Sequence, residues 1–203
     1  MRLLSYLFIG ILVVHFALTS YLNRSLLISK FDASYWKDKY EQSQLTLPLS
    51  PRTIGDDGHY LYEGYRLTHG TDPTNILAEV PPFGKYLIGS SIVLFGNGYW
   101  YGAITTTLCV VIFYTLAIRL IHNQPIALAI TTLFALDPLL TEQFSLTMLD
   151  SLQLATLLAF FLMLTALPPK PAVKTSFVIC AGAGFILGLT QILKFRFSRR
   201  FFL

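Results

Sequence analysis

Residues 3–22 read LLSYLFIGILVVHFALTSYL, a run of twenty residues without a charged side chain. At 1.5 Å per residue, a helix of this length covers about 30 Å, the thickness of the hydrocarbon core of a bilayer. A cleaved signal peptide is the alternative. The run exceeds the usual signal core, however, and Thr19-Ser20-Tyr21 is a poor cleavage site. We therefore expect a retained membrane anchor.

The composition favours a membrane protein throughout, because 54% of the residues are hydrophobic and only 13% are charged. Further apolar runs cover residues 86–118, 120–136, 151–167 and 175–193. We predict an all-α integral membrane protein, a polytopic bundle of about five spanning helices. The net charge of +4 comes from scattered basic residues rather than from one patch, so nucleic acid is not an expected partner.

The uncharged stretch 86–118 is too long for one crossing and too short for two crossings with a turn. Asn97-Gly98 is a turn dipeptide that divides it. The first part, 86–96, has the length of an interfacial or re-entrant helix, while the second part, 99–121, is long enough to span. We expect the first part to lie at the membrane surface, and full crossing is the alternative.

The charges test this threading, because short cytoplasmic loops collect lysine and arginine. All eleven acids lie between Asp32 and Asp150, outside the basic ends of the chain. With the N-terminus inside and 86–96 at the outer surface, the loops 119–123 and 168–174 become cytoplasmic, and the acids become extracytoplasmic. The basic tail, 196–203, violates this scheme. We therefore expect an aberrant C-terminus that follows a unit spanning residues 1–195.

The largest outer segment, residues 23–85, is expected to contain helices, because structureless connections of that length are uncommon. Gly55-Asp56-Asp57-Gly58 predicts a turn and then a short helix with Asp56 as its N-cap, and Gly70-Thr71-Asp72-Pro73 predicts the end of that helix. One interpretation of Asp56 and Asp57 is a cap and a turn residue. The other is a general base and its partner, and the local sequence does not decide between them.

Three motifs occur in order along the chain: DDGHY at 56–60, EVPPFGK at 79–85 and MLDS at 148–151. Their order and spacing resemble the N-terminal half of the protein O-mannosyltransferase and aminoarabinose-transferase superfamily, which are membrane glycosyltransferases of the GT-C fold. Residues 184–194 also resemble a helix end of that family. The chain departs from the family pattern at Val80, where relatives usually carry His or Lys, and at Tyr101, near a usual Arg.

The resemblance implies a role for each matched residue. Asp56 and Asp57 would be catalytic, with Asp56 as the base. The substrate-binding residues would be His59, Glu79, Lys85, Asp150 and Lys194, of which the two lysines would contact the lipid phosphate. The alternatives are that Lys85 only extends from the helix end to the membrane surface and that Asp150 only caps the helix that follows.

The implied reaction moves a sugar, a mannose-like hexose, from a polyprenyl-phosphate carrier to a hydroxyl acceptor on the extracytoplasmic face, with inversion at the anomeric carbon. The acceptor is a protein, a lipid or a glycan, and membrane lipid surrounds the protein. No nucleotide cofactor is required, and no motif has convincing metal spacing, although one divalent cation between Asp56, Glu79 and Asp150 is an open alternative. The competing hypothesis is a non-enzymatic membrane scaffold or partner subunit, or an inactive remnant.

Overall fold

The computed structural model describes residues 2–47, 49–76 and 82–165, together with 178, 180–186 and 188. All regular secondary structure in these ranges is helical. The labelled helices, in chain order, are α1 (Arg2–Leu22), α2 (Arg24–Ile28), α3 (Ala33–Glu41), α4 (Asp56–Thr68), α5 (Pro82–Phe95), α6 (Trp100–Ile121), α7 (Gln124–Ala135), α8 (Pro138–Gln143) and α9 (Asp150–Leu164). The all-helical prediction is therefore confirmed over the described part of the chain.

Two helices, α1 and α6, are long and apolar enough to cross a membrane. The apolar helices α5, α7 and α9 have 14, 12 and 15 residues and are shorter than an ordinary span. The predicted run 175–193 lies largely outside the described residues. Membrane crossing by α1 and α6 is therefore supported by length and composition, whereas five crossings are not shown.

Helices α6 and α9 pack side by side and run in the same direction. Near their beginnings, the hydroxyl oxygens of Thr105 and Ser151 lie 2.7 Å apart, and near their ends Arg119 donates to the carbonyl of Leu162 at 3.5 Å. Helix α7 turns back from α6 at His122, which has a left-handed backbone with φ 55°. This is the relative direction that the charge pattern predicted. We call the end at which α6 and α9 begin the loop end of the bundle.

The C-terminal part of α1 lies at the loop end. Its Phe16 ring packs against the ring of Phe144, which lies between α8 and α9, and the two ring centroids are 6.1 Å apart. Much of the remaining surface of α1 is exposed and apolar, including Leu3, Val13 and Leu18. An apolar helix surface without a protein partner is what lipid contact requires.

Helix α5 packs closely on α4, because two glycines face each other at the crossing. A Cβ atom on Gly89 would lie 2.1 Å from the carbonyl oxygen of Gly64, so no larger residue fits there without movement. A helix is present at the predicted position 86–96, but it begins four residues earlier at Pro82 and packs mainly on α4.

The segment 23–76 contains helices α2, α3 and α4, as the sequence predicted. The prediction that Asp56 caps α4 is wrong by one residue. Gly55 is the N-cap, without a side-chain hydrogen bond, and Asp56 is the first helical residue. The predicted end is confirmed, since α4 stops at Thr68 and Gly70 has φ 88°.

Candidate active site at the loop end

The beginning of α4 is attached to the segment that precedes α9. Thr147 is completely buried, and its hydroxyl donates a 2.7 Å hydrogen bond to the carbonyl oxygen of Asp57. Asp57 itself is half-buried, while Asp56 is exposed. This long-range contact brings two of the three sequence motifs together.

Asp150 lies at the same end of the molecule. It is three positions from Thr147, which is about 11 Å of fully extended chain, so Asp150 and Asp57 are much closer than a membrane thickness. Asp150 is exposed and is the first residue of α9. Leu149 occupies the N-cap position, so the capping alternative for Asp150 is wrong.

A shared apolar core fixes this arrangement. Its buried members come from α4, α5, α6 and α9 and the residue that precedes α9, and they are Leu61, Ile88, Ile92, Tyr101, Leu149 and Leu152. Tyr99 packs against them, and burial together with the negative charge of Asp57 raises its pKa. The negative charge of Asp57 therefore acts on Tyr99, which is the N-cap residue of α6.

The second feature of α4 is a buried carboxylate, Glu63, that the sequence analysis did not select. Its Oε2 atom lies 2.5 Å from Nζ of Lys85 and 2.8 Å from Nε2 of His59. The hydroxyl of Tyr40 donates to Oε1 at 3.0 Å. Glu63 and Lys85 are fully buried, and His59 is nearly so.

The charges in this network stabilise one another. Burial alone would raise the pKa of Glu63, but its interactions with His59 and Lys85 outweigh burial and lower the pKa to about 2. The phenol of Tyr40 shows the opposite effect, because burial and the Glu63 charge raise its pKa. Glu63 is therefore an ionised buried group that joins α3, α4 and α5.

The structure corrects the expected surroundings of two residues. Lys85 was expected either to bind a lipid phosphate or to extend to the membrane surface, but its ammonium group is buried against Glu63. His59 was expected to contact substrate, yet its ring is buried on the same carboxylate. In this structure both side chains connect helices. The sequence contained one signal for the His59 contact. His59 and Glu63 are four residues apart, and side chains at that spacing lie on the same face of a helix.

Two predicted site residues, Glu79 and Lys194, lie outside the described residues. The suggested cation site between Asp56, Glu79 and Asp150 therefore falls partly outside them as well. In the part of the chain that the structure describes, no group of three or more His, Cys, Asp or Glu side chains is arranged to hold a metal ion.

An apolar groove of about 780 Å³ separates α1 from α6. Leu12, Val13 and Phe16 line one side, and Ile104 and Leu108 line the other. Ser20 and Trp100 also line the groove, and both lie towards the loop end. The groove therefore offers an apolar surface that begins near the acidic end of the molecule.

Comparisons of the chain with protein-family models, with curated proteins and with solved structures found no match. Any functional assignment must therefore come from the residues and their geometry.

Proposed function

We propose that this protein is a membrane glycosyltransferase that moves a sugar from a polyprenyl-phosphate carrier to an acceptor hydroxyl. The observation that carries the proposal is the hydrogen bond from Thr147 to the carbonyl of Asp57. It brings the Asp56-Asp57 pair to the same end of the helix bundle as Asp150. A carboxylate next to apolar helices can act as a general base on a substrate at a membrane surface, and the motif resemblance agrees with this role.

In the proposed reaction, Asp56 acts as the general base, since it is exposed at the first turn of α4. Its carboxylate accepts the proton of the acceptor hydroxyl while the hydroxyl oxygen bonds to the anomeric carbon. The bond from that carbon to the carrier phosphate breaks, and the phosphate leaves with the electron pair. Attack opposite the leaving group inverts the anomeric centre.

Asp57 and Asp150 would bind and orient the substrates. Asp57 is held through its backbone by Thr147, while Asp150 begins α9 and is exposed. The Lys85 ammonium is neutralised by Glu63, so Lys194 is the remaining candidate of the two lysines for the phosphate. Positive charge at the leaving phosphate would lower the barrier by stabilising developing negative charge.

The apolar groove between α1 and α6 suits the isoprenoid part of the carrier. We propose that the bundle crosses the membrane about five times, with α5 at the surface and the loop end extracytoplasmic. The exposed apolar surface of α1 and the parallel direction of α6 and α9 support this arrangement.

The activity is tested with purified protein, a radiolabelled sugar on a polyprenyl-phosphate carrier and a panel of hydroxyl acceptors. We expect transfer by the unaltered protein and a loss of about 10²–10⁴-fold in Asp56→Asn, the usual contribution of a general base. Asp38→Asn is the matched control, because Asp38 is an exposed acid of the same outer segment. Full activity of Asp56→Asn would remove Asp56 as the base, and no transfer by any form would favour a non-enzymatic scaffold.

The orientation is tested by cysteine labelling in sealed vesicles. Glu142→Cys places a thiol at an exposed position of α8, and Cys180→Ser removes the exposed natural thiol, whereas Cys109 is buried. A maleimide that does not cross membranes should react only from the extracytoplasmic side. Reaction only from the cytoplasmic side would reverse the proposed orientation.

A further inference from the structure

Two adjoining cavities form a cleft at the end of α1. The first, of about 500 Å³, is lined by Leu22, Arg24 and Ser25, and it shares Ile28 and Ser29 with the second. The second, of about 700 Å³, runs between residues 28–33 and the end of α5. We call the two cavities together the α2 cleft.

The walls of the α2 cleft are held in place by hydrogen bonds. The side-chain amide of Asn97, which is buried, donates to the carbonyl oxygens of Leu26 and Ser29, in the latter case at 2.6 Å. The backbone N–H of Phe31 donates to the carbonyl of Gly96 at 2.9 Å. The cleft is therefore a fixed part of the fold, formed where the α5–α6 turn meets α2.

The charges that line the cleft are positive. Arg24 lies 4.3 Å above the ring of Tyr21 and donates to the carbonyl of Tyr21, and Lys30 and His69 line the second cavity. Among the residues that the structure describes, no carboxylate lines either cavity. The nearby Asp32 accepts hydrogen bonds from the backbone at the beginning of α3.

The position of the cleft relative to α1 determines its depth in a membrane. If residues 3–22 cross the hydrocarbon layer, Arg24 and Lys30 follow directly and lie at the level of the lipid headgroups. Large apolar side chains next to them are exposed, among them Ile28 at 77%, Val93 and Phe95. Positive charge and exposed apolar surface thus occur together at one depth.

We propose that the α2 cleft binds the headgroup phosphate of an anionic glycerophospholipid. Arg24 and Lys30 contact the phosphate, and the acyl chains lie along Ile28, Val93 and Phe95. A free phosphate ion would use the positive charges but leave these apolar side chains exposed, so the combination favours a lipid. The proposal depends on α1 crossing the membrane and does not depend on glycosyl transfer.

The test is native mass spectrometry of the full chain in a neutral detergent, with phosphatidylglycerol and phosphatidylcholine added in equal amounts. We expect the unaltered protein to retain phosphatidylglycerol preferentially. Arg24→Gln combined with Lys30→Gln should reduce that preference about thirty-fold, since each basic residue near an anionic surface contributes about 1 kcal/mol. Binding of phosphatidylcholine should fall much less, because its choline cation already offsets the charge of its phosphate.

The matched control is Lys37→Gln combined with Arg52→Gln, which removes the same charge from exposed positions elsewhere in the outer segment. This control should keep the preference for phosphatidylglycerol. The charge-conserving pair Arg24→Lys and Lys30→Arg should keep it as well, and this second control also checks that changes in the cleft leave the protein folded. An equal loss in the control, or displacement of the lipid by millimolar inorganic phosphate, would overturn the proposal. Preferential displacement by a polyprenyl phosphate would assign the cleft to the sugar donor instead.

Discussion

The ammonium nitrogen of Lys85 lies 2.5 Å from Oε2 of Glu63, and both side chains are completely buried. The pair joins α4 to α5 next to the close contact of Gly64 with Gly89. Removing two charges from water is costly, and the remaining partner of a broken buried pair retains that cost. The pair therefore makes the α4–α5 association sensitive to the loss of either charge.

Glu63→Gln should destabilise the protein by about 3–5 kcal/mol, the usual cost of removing one partner of a buried ion pair. The substitution preserves shape but leaves the Lys85 ammonium buried without the Glu63 charge. The measurement is equilibrium unfolding in detergent micelles.

Glu41→Gln is the control, because the pair of Lys37 and Glu41 is 3.9 Å long and exposed, and such pairs contribute less than about 1 kcal/mol. Adding Lys85→Met to Glu63→Gln should restore part of the lost stability, since no charge then remains buried at this pair. Equal effects of Glu63→Gln and Glu41→Gln would contradict the buried pair.

The same carboxylate should make stability depend on pH in the acidic range. The folded protein lowers the pKa of Glu63 from its ordinary value of 4.5 to about 2, so the folded state favours the ionised form. The contribution of the Glu63 charge to the free energy of unfolding is complete above pH 4.5, and it is lost as the pH falls towards 2. The difference in unfolding temperature between the unaltered protein and Glu63→Gln should shrink as the pH falls from 4.5 towards 2.

A difference that is unchanged at pH 3 would show that Glu63 is not ionised against Lys85 in the folded protein. Comparison with Glu63→Gln makes the test more specific, because exposed acids that do not contact Glu63 contribute equally in both proteins.

The sequence predicted what depends on local pattern. The apolar runs at 3–22 and 99–121 became α1 and α6, and Gly70 and Pro73 marked the end of α4. Helix α9 was also predicted. The sequence did not predict that Tyr101 lies in the core beside Leu149, because aromatic residues at a helix end are equally typical of a membrane interface.

The candidate site was only partly predictable for a related reason. Asp57 and Thr147 are ninety positions apart, and nothing in either local sequence indicates their hydrogen bond. Glu63 was missed because it lies among apolar residues of α4 and its partners Tyr40 and Lys85 are distant in sequence. Lys85 was assigned to the lipid phosphate through the motif resemblance. Its ion pair with Glu63 depends on long-range packing, which the local sequence does not indicate.

Gly89→Ala should destabilise the protein by about 1–3 kcal/mol, as overpacking of a fitted core does. The new methyl group would meet the backbone of Gly64, which cannot move aside as a side chain can. Gly10→Ala is the control, because a Cβ at Gly10 has no atom within 4 Å and alanine favours a helix. Thermal unfolding should show a loss for Gly89→Ala and none for Gly10→Ala, and equal effects would exclude close helix contact at Gly89.

Thr147→Val should impair both stability and the proposed transfer reaction. Valine matches threonine in shape but cannot donate to the carbonyl of Asp57, so one long-range hydrogen bond is lost, which costs about 0.5–1.5 kcal/mol. Thr115→Val is the control, because the hydroxyl of Thr115 donates to a carbonyl within its own helix, that of Val111 in α6. We expect kcat for sugar transfer to fall in Thr147→Val, measured where the protein is fully folded, since the carboxylates of Asp56 and Asp57 lose their fixed position relative to Asp150. If Thr147→Val is less stable but transfers sugar at the normal rate, Thr147 has only a structural role. The hydrogen bond to Asp57 then does not affect the transfer reaction.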